Sequence, residues 1–421
     1  MAGSIPPDPM NAPTGPAAAQ PPRLCIAVVT ETYPPEINGV ANTMRQLVAG
    51  LRRLGHRVIL VRPRQQPEHS AERAAADPLA APDYQVLVPG LPIPGYRGLR
   101  FGLPVKRRLR QAWHRRRPDV IYIATQGPLG HAALAVARAA DIPAATGFHT
   151  QFHQYSRHYG LGLLMRPIVD TLRRFHNASD ATLVPTAALE HELEADGFRN
   201  LEVFSRGVDT DLFSPRRRSS ALRRSWNCND DTLVALYVGR IAAEKNIQLA
   251  IAAFQAVVDT RPNTRVVLVG DGPELPRLRR EHPDYLFTGA RVGEPLATHY
   301  ASADLFVFPS LTETFGNVIT EAMASGLPVL AFDYAAAREH IRNGENGLTV
   351  VPGDHDAFIA AAAAAAANRA PLKRLGLAAR SKAESLSWER VIRALEQRLS
   401  EIIARHAHPG GRHETMAATT E

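Results

Sequence analysis

The chain alternates between short runs of wholly apolar residues and longer stretches in which apolar positions recur every three or four residues. The run LCIAVV at 24–29 is apolar throughout, the pattern of a strand buried on both faces. It leads into TETYPPEING, a loop punctuated by Pro and Gly that ends at Gly39. A helix is then expected over about 40–54, stopped by Gly55. The same unit recurs downstream. Strands are expected at 57–61, 119–124, 144–148 and 181–185, with a helix at 130–140. After a polar, turn-rich connection, RGVDTDLF at 206–213, a second series begins. Its expected strands lie at 232–238, 265–269, 284–287, 305–309 and 328–331, with a helix at 247–259. Eight consecutive alanines at 360–367 read as a plain helix, since Ala is the best helix former. Strand and helix in strict alternation predict parallel sheets covered by helices. The chain therefore reads as α/β, two doubly wound halves with a cleft between them.

Composition narrows the class. Of 421 residues, 45% are apolar and 21% charged, an ordinary globular mix that excludes a mainly disordered, collagenous or disulfide-scaffold protein. The only cysteines, Cys25 and Cys228, match no metal or redox spacing and point to a reducing, cytoplasmic setting. No run approaches the ~18 apolar residues of a membrane span. The Pro- and Ala-rich residues 1–22 lack the basic and apolar regions of a signal peptide and read as a disordered lead, as 406–421 read as a disordered tail.

The net charge of +8 is local. Nine cations and no acid fall between Arg97 and Arg117, which leaves the rest of the chain at −1 and makes nucleic acid a poor partner. With Pro104 near its start, a helix here places Val105, Leu109, Ala112 and Trp113 on one narrow apolar stripe. Lys106, Arg107, Arg108, Arg110, Arg115, Arg116 and Arg117 crowd the other faces. Two readings stand: a solvated surface helix packed on its own domain, or a helix lying on an anionic membrane, with Trp113 and the cations as the docking residues.

Parallel sheets bind ligands beyond the carboxyl ends of their strands. After strand 24–29 comes Asn38-Gly39 at a helix start, where backbone N–H groups approach a phosphate. After 232–238 comes GRIAAEKN, in which Arg240 and Lys245 can flank a diphosphate that leaves with developing charge. After 305–309, Glu313 and Glu321 lie eight residues apart across Gly316, Asn317 and Val318. The helix start offers N–H groups, and the carboxylates can accept from sugar and ribose hydroxyls. After 144–148, His149 opens an imidazole- and aromatic-rich string, HTQFHQYSRHYG, suited to a sugar or acceptor pocket. Each string read alone also fits a bland role: a turn glycine, a surface ion pair, an exposed Glu.

Together the strings resemble a family. Glu313-x7-Glu321 inside ETFGNVITEAMASGLPV resembles the signature of family-4 retaining glycosyltransferases of GT-B fold. GRIAAEKN, GVDTDLF, VGDGPE at 269–274 and ETYPPEINGV at 31–40 fit the same family in the same order, over about 23–405. The resemblance implies an N-terminal Rossmann-like acceptor domain at 23–205, a connection at 206–214, a nucleotide-sugar domain at 215–388 and a helix at 389–405 crossing back to the first domain. It implies that Gly39 approaches the donor diphosphate and that Arg240 and Lys245 hold it. Glu313, with the backbone of Gly316, Asn317 and Val318, binds the donor sugar, and Glu321 binds the ribose. His149 lines the sugar and acceptor site. The base is read by backbone near Gly289–Gly293. No cofactor or metal is implied beyond the nucleotide-sugar co-substrate, and Asp209-x-Asp211 reads as structural. Asn38 stands where many relatives have Gly, so it is expected to tune the donor.

HTQFHQYSRHYG and YRGLRFGLP (96–104) look like the bacterial branch that makes glycolipids. The expected activity is hexosyl transfer from GDP-mannose or a UDP-hexose to a membrane lipid such as a diacylglycerol or phospho- or glycolipid, on the inner face of the membrane. A soluble or polysaccharide acceptor and a nucleotide-sugar epimerase are the alternatives. Neither base, sugar, acceptor nor oligomeric state is fixed by these residues.

Overall fold

The structure is a computed structural model that describes residues 22–34, 36, 38–64, 81–92, 100–149 and 165–408. Arg97, the lead up to residue 21, the tail from 409 and all of HTQFHQYSRHYG beyond His149 lie outside the described residues.

Two all-parallel sheets form the frame. The first contains β1 (Cys25–Val29), β2 (Arg57–Pro63), β3 (Tyr84–Val88), β6 (Val120–Ile123), β7 (Ala144–Gly147), β8 (Ala181–Val184) and β9 (Leu201–Val203). A small antiparallel hairpin, β4 (Gly90–Pro92) with β5 (Arg100–Gly102), stands beside it. The second sheet contains β10 (Leu233–Val238), β11 (Thr264–Val269), β12 (Leu286–Gly289), β13 (Leu305–Phe308), β14 (Val329–Phe332) and β15 (Leu348–Val350). The strand orders are β3-β2-β1-β6-β7-β8-β9 and β12-β11-β10-β13-β14-β15. The central strands β1, β6, β7, β10 and β13 are buried along their whole length, which explains their continuous apolar runs. Strands β3, β9 and β15, which carry weaker patterns, all lie at sheet edges.

The connection and the last helix hold the halves together. Val208 N–H donates to Leu386 O at 2.9 Å and the two segments pair at Val208 and Ser387, so the two chain crossings lie side by side. Arg380 Nη1 donates to the carbonyls of Thr210, Phe213 and Ala324, which fastens the downstream part of the connection to the second half. The Trp388–Ala407 helix then returns to the first half. Its buried face, Trp388, Ile392, Leu395, Leu399 and Ile402, packs with Met44, Leu47 and Leu51 of the Gly39–Arg53 helix and with Ile26 and Val28 of β1. Polar pairs flank this seam. His56 Nε2 meets Glu396 at 2.8 Å, Arg405 meets Glu202 at 2.6 Å, and His406 Nδ1 meets Asp180 at 3.0 Å. Two doubly wound halves with a C-terminal helix crossing back constitute the GT-B architecture.

The Lys106–Arg115 helix corrects one expectation. Leu109 and Trp113 are fully enclosed by the first half's core, beside Val86, Ile121 and Leu129, so Trp113 is not a docking residue. The apolar stripe is satisfied by the protein itself and not left for lipid. Arg116 stacks on Tyr84 at 4.1 Å, and Arg117 donates to Ala140 O and Asp141 O, closing the end of the Pro128–Ala139 helix. Lys106, Arg107, Arg108, Arg110 and Arg115 are exposed and enter no ion pair among the described residues.

Removing a leucine from a packed seam costs the transfer of its methyls and leaves a cavity, about 3 kcal/mol in all. Leu395→Ala is therefore expected to lower the urea midpoint of the first half's unfolding, whereas Leu377→Ala, on an exposed side chain, leaves it unchanged. Tryptophan fluorescence and amide exchange would read both variants.

Candidate active site

The site gathers at the carboxyl ends of β1, β6, β7, β10 and β13. On the first half, Asn38 caps the Gly39–Arg53 helix. Its Oδ1 accepts from Ala41 N–H at 2.8 Å, and its Nδ2 donates to Thr32 Oγ1 at 2.8 Å. Asn38 thus caps the helix and ties its start to the loop. Gly39 faces the other half: a Cβ added there would lie 3.5 Å from Asn317 Nδ2. On the far side, Ala187 N–H donates to Glu339 Oε1 at 3.2 Å across the same gap.

On the second half, the chain leaving β10 makes a single 3-10 turn, Ala243–Lys245, and Asn246 adopts a left-handed conformation before the next helix. This turn brings Lys245 beside the loop after β13. Its Nζ donates to Glu313 Oε1 at 2.6 Å and to Thr312 O at 3.1 Å. Ser310 Oγ donates to the same Glu313 oxygen at 3.0 Å. Arg240, half-exposed, pairs with Glu244 at 2.9 Å, and Glu244 O in turn accepts from Thr312 Oγ1 at 2.7 Å. Two cations and two carboxylates are thus laced together at one strand end.

Gly316 has φ +94°, a conformation that a side chain resists, and it turns the loop abruptly into the Asn317–Ala324 helix. No side chain caps that helix. Its first N–H groups and their share of the helix dipole are available to an anion or a hydroxyl. One turn on, Glu321 accepts from Tyr300 Oη at 3.1 Å, and burial pushes its carboxyl up to about 7.

His149 completes the site from the first half. It is buried, and both ring nitrogens are engaged: Nε2 with Tyr122 Oη at 2.7 Å, and Nδ1 with the Arg206 guanidinium at 3.1 Å. Burial, the Arg206 charge and nearby His176 hold the imidazole well below its ordinary pKa, so it is neutral at pH 7. His149 is thus a fixed, neutral ring on this wall of the site. Gly147 permits this arrangement. A Cβ there would meet Tyr122 Oη at 2.3 Å and His149 Nε2 at 2.7 Å.

The structure therefore brings Gly39, Arg240, Lys245, Glu313, Gly316, Asn317, Val318 and His149 to the two facing walls of one cleft, with Glu321 one helical turn behind. It adds residues that sequence reading did not single out: Arg206, Tyr122, Ser310 and Tyr300. Glu31 is another. Its buried carboxyl accepts from Gly102 N–H and lies near the start of the Pro128–Ala139 helix, and burial raises it to about 7. A cavity of about 700 Å3 opens beside Lys106, lined also by Pro104, Gln126, Pro128 and His131.

Comparison with known proteins shows the family. Residues 37–212 match the family described as Glycosyltransferase Family 4, and residues 232–368 match Glycosyl transferases group 1. The GDP-mannose-dependent alpha-mannosyltransferase of Mycobacterium tuberculosis is 33% identical over 93% of this chain and 99% of its own length. The chain belongs to glycosyltransferase family 4. Alpha-monoglucosyldiacylglycerol synthase of Acholeplasma laidlawii is 29% identical over 77% of this chain and 84% of its own. Sucrose-phosphate synthase of Thermosynechococcus elongatus shares the fold, with a TM-score of 0.73 at 21% identity, covering 91% of this chain and 100% of that one. This family-4 glycosyltransferase is a hexosyltransferase that draws on a nucleotide sugar.

Two predictions follow from the charges. Glu313→Ala and Arg240→Ala are each expected to lower turnover by about 10²-fold or more, since both sit at the strand ends where the sugar and diphosphate of a donor would meet the protein. Melting curves should stay within a few degrees of the unaltered enzyme, and retained turnover in either variant refutes its placement. Glu321 sets a pH dependence. Its raised pKa means that the carboxylate, the form that would accept from a donor's ribose diol, gives way to the acid below about 7. Affinity for a nucleotide sugar, whose diphosphate diester does not titrate in this range, should therefore strengthen as pH rises from 6 to 8. Calorimetry should find this slope lost in Glu321→Gln.

Proposed function

We propose that this enzyme transfers a mannosyl residue from GDP-mannose, with retention of configuration, to a lipid acceptor at an anionic membrane surface. The observation that carries the acceptor is the exposed cationic face of the Lys106–Arg115 helix, five basic side chains with no acidic partner among the described residues. A surface so charged is drawn to anionic headgroups, at about 1 kcal/mol for each Lys or Arg near the membrane. With Leu109 and Trp113 turned into the core, the contact is electrostatic and peripheral. The cavity beside Lys106 lies on this flank and gives a headgroup somewhere to enter.

The donor reading rests on the cleft. The diphosphate of a nucleotide sugar meets Arg240 and Lys245, and Lys245 exchanges part of its bond to Glu313 for the phosphate. Glu313, released but still held by Ser310, accepts from hexose hydroxyls. The uncapped N–H groups after Gly316 add donors. Glu321 takes the ribose. As the glycosidic bond breaks, negative charge grows on the departing phosphate, and the two cations stabilise it where it grows. GDP-mannose is favoured over a UDP-hexose by the 33% identity to a GDP-mannose-dependent relative, and a lipid acceptor by the diacylglycerol named in the second relative.

Two assays test this reading. GDP and GDP-mannose are expected to raise the melting temperature, as any ligand of the folded state does, more than UDP and UDP-glucose. Radiolabelled mannose should then move from GDP-mannose into lipid only when anionic vesicles are present. Replacing Arg107, Arg108, Arg110 and Arg115 by Gln removes about 4 kcal/mol of surface attraction, or several hundredfold in vesicle partitioning at low salt. Unchanged vesicle binding would remove the membrane from the proposal. Transfer to a soluble sugar without vesicles would replace the acceptor.

A further inference from the structure

Arg206 opens the connection between the halves and is only 6% exposed. A guanidinium leaves water at considerable cost unless hydrogen bonds or opposite charge compensate. No carboxylate pairs with it directly among the described residues. Instead, Nη2 donates to His149 Nδ1 at 3.1 Å, and the guanidinium carbon lies 5.7 Å from the centre of the Phe315 ring. Glu313, two residues before Phe315, attracts it across the site. Burial pushes Arg206 down to about 10, which leaves it cationic at neutral pH. Its Nε is buried without a hydrogen-bond partner among the described residues.

The polarity of this chain of hydrogen bonds is fixed. A guanidinium only donates, so His149 Nδ1 carries a lone pair and its single proton sits on Nε2. That N–H donates to Tyr122 Oη at 2.7 Å. The imidazole is thereby held in one tautomer and one orientation. On the other side, the same guanidinium faces Phe315 and draws on Glu313, whose second influence is Lys245. One buried cation therefore touches the strand end of β7 in the first half and the loop after β13 in the second. It does so from the segment that joins them.

We propose that Arg206 is a positioning residue for hexosyl transfer, fixing the His149 ring on one wall of the sugar pocket and steering the Glu313 carboxylate on the other. This rests on the transferase reading given above. The diphosphate and ribose contacts lie with Arg240, Lys245 and Glu321, so Arg206 governs the geometry of the sugar and not the grip on the nucleotide. A misplacement of about 1 Å at a reacting centre costs roughly 10²-fold in rate.

The test uses the full-length enzyme with anionic vesicles, and the variants Arg206→Gln, Arg206→Lys, His149→Gln and Arg206→Gln with His149→Gln. GDP should raise the melting temperature of every variant as it does for the unaltered enzyme. With GDP-mannose, Arg206→Gln should lose about 10²-fold in kcat with KM changed by no more than about threefold. Arg206→Lys, which keeps the charge without the fork, should lose less. The double variant should be no worse than the poorer single one, because the two residues act as a unit. The acid limb of kcat should shift to higher pH in Arg206→Gln, since His149 then lacks the Arg206 charge and only burial and His176 still hold its pKa down, with Tyr122 neutral beside it. Additive losses, an unmoved acid limb or unchanged kcat would each overturn the proposal. Should Arg206→Gln not fold, Arg206→Lys decides: full kcat overturns it. If the unaltered enzyme shows no nucleotide shift and no turnover, the transferase reading falls first.

Discussion

Everything in the cleft depends on a reversal of strand order. In each sheet the chain works outward in one direction, returns to the centre and works outward the other way, so the loops on either side of the reversal splay apart at the strands' carboxyl ends. In the first sheet this happens between β1 and β6, and in the second between β10 and β13. The loop after β1 carries Asn38 and Gly39, that after β10 carries Arg240 and Lys245, and that after β13 carries Glu313 and Gly316. The two crevices face each other, and their rims meet where a Cβ added to Gly39 would come within 3.5 Å of Asn317 Nδ2.

Charge in this cleft is kept in pairs until a ligand supplies its own. Lys245 is neutralised by Glu313, Arg240 by Glu244, and Arg206 sits beside a neutral imidazole within reach of Glu313's field. On the proposed reading, a dianionic diphosphate entering such a site would exchange partners and would not meet bare cations. That lowers the cost of holding the charges in place while the site waits. On the same reading Glu313 would serve both as a reserve counter-ion to Lys245 and as an acceptor for sugar hydroxyls. The side chains that steer it, Ser310, Lys245 and Arg206, come from three separate segments.

The sequence was most readable where burial is complete. The apolar runs of β1, β6, β10 and β13 admit no reading but a two-sided strand, and the motif residues follow them by a few positions. Edge strands such as β9 and β15 have three residues each and one covered face, too little pattern to stand out. Arg206 and Tyr122 were passed over because their meaning lies in His149, 57 and 27 residues away, and only the fold joins them. The stripe through Leu109 and Trp113 was legible as a stripe. Its partner was not, because an apolar face gains the same free energy against a protein core as against lipid. Asn38 is ambiguous in sequence for a similar reason: the residue type suits a helix cap and a ligand contact equally.

The crossover helix carries a consequence for how the molecule comes into being. Residues up to about 205 contain every strand of the first sheet, yet its core cluster, with Met44, Leu47 and Leu51, also includes Ile392, Leu395 and Leu399 of the last helix. A ribosome delivers those last residues after the whole second half. The first sheet therefore emerges with an apolar flank open to its surroundings and waits, while the second half, whose core is drawn from its own residues and the connection, completes itself. Maturation runs against the order of synthesis: the half made first is the half finished last, and the closing of its seam is also the act that fixes the two walls of the cleft opposite one another.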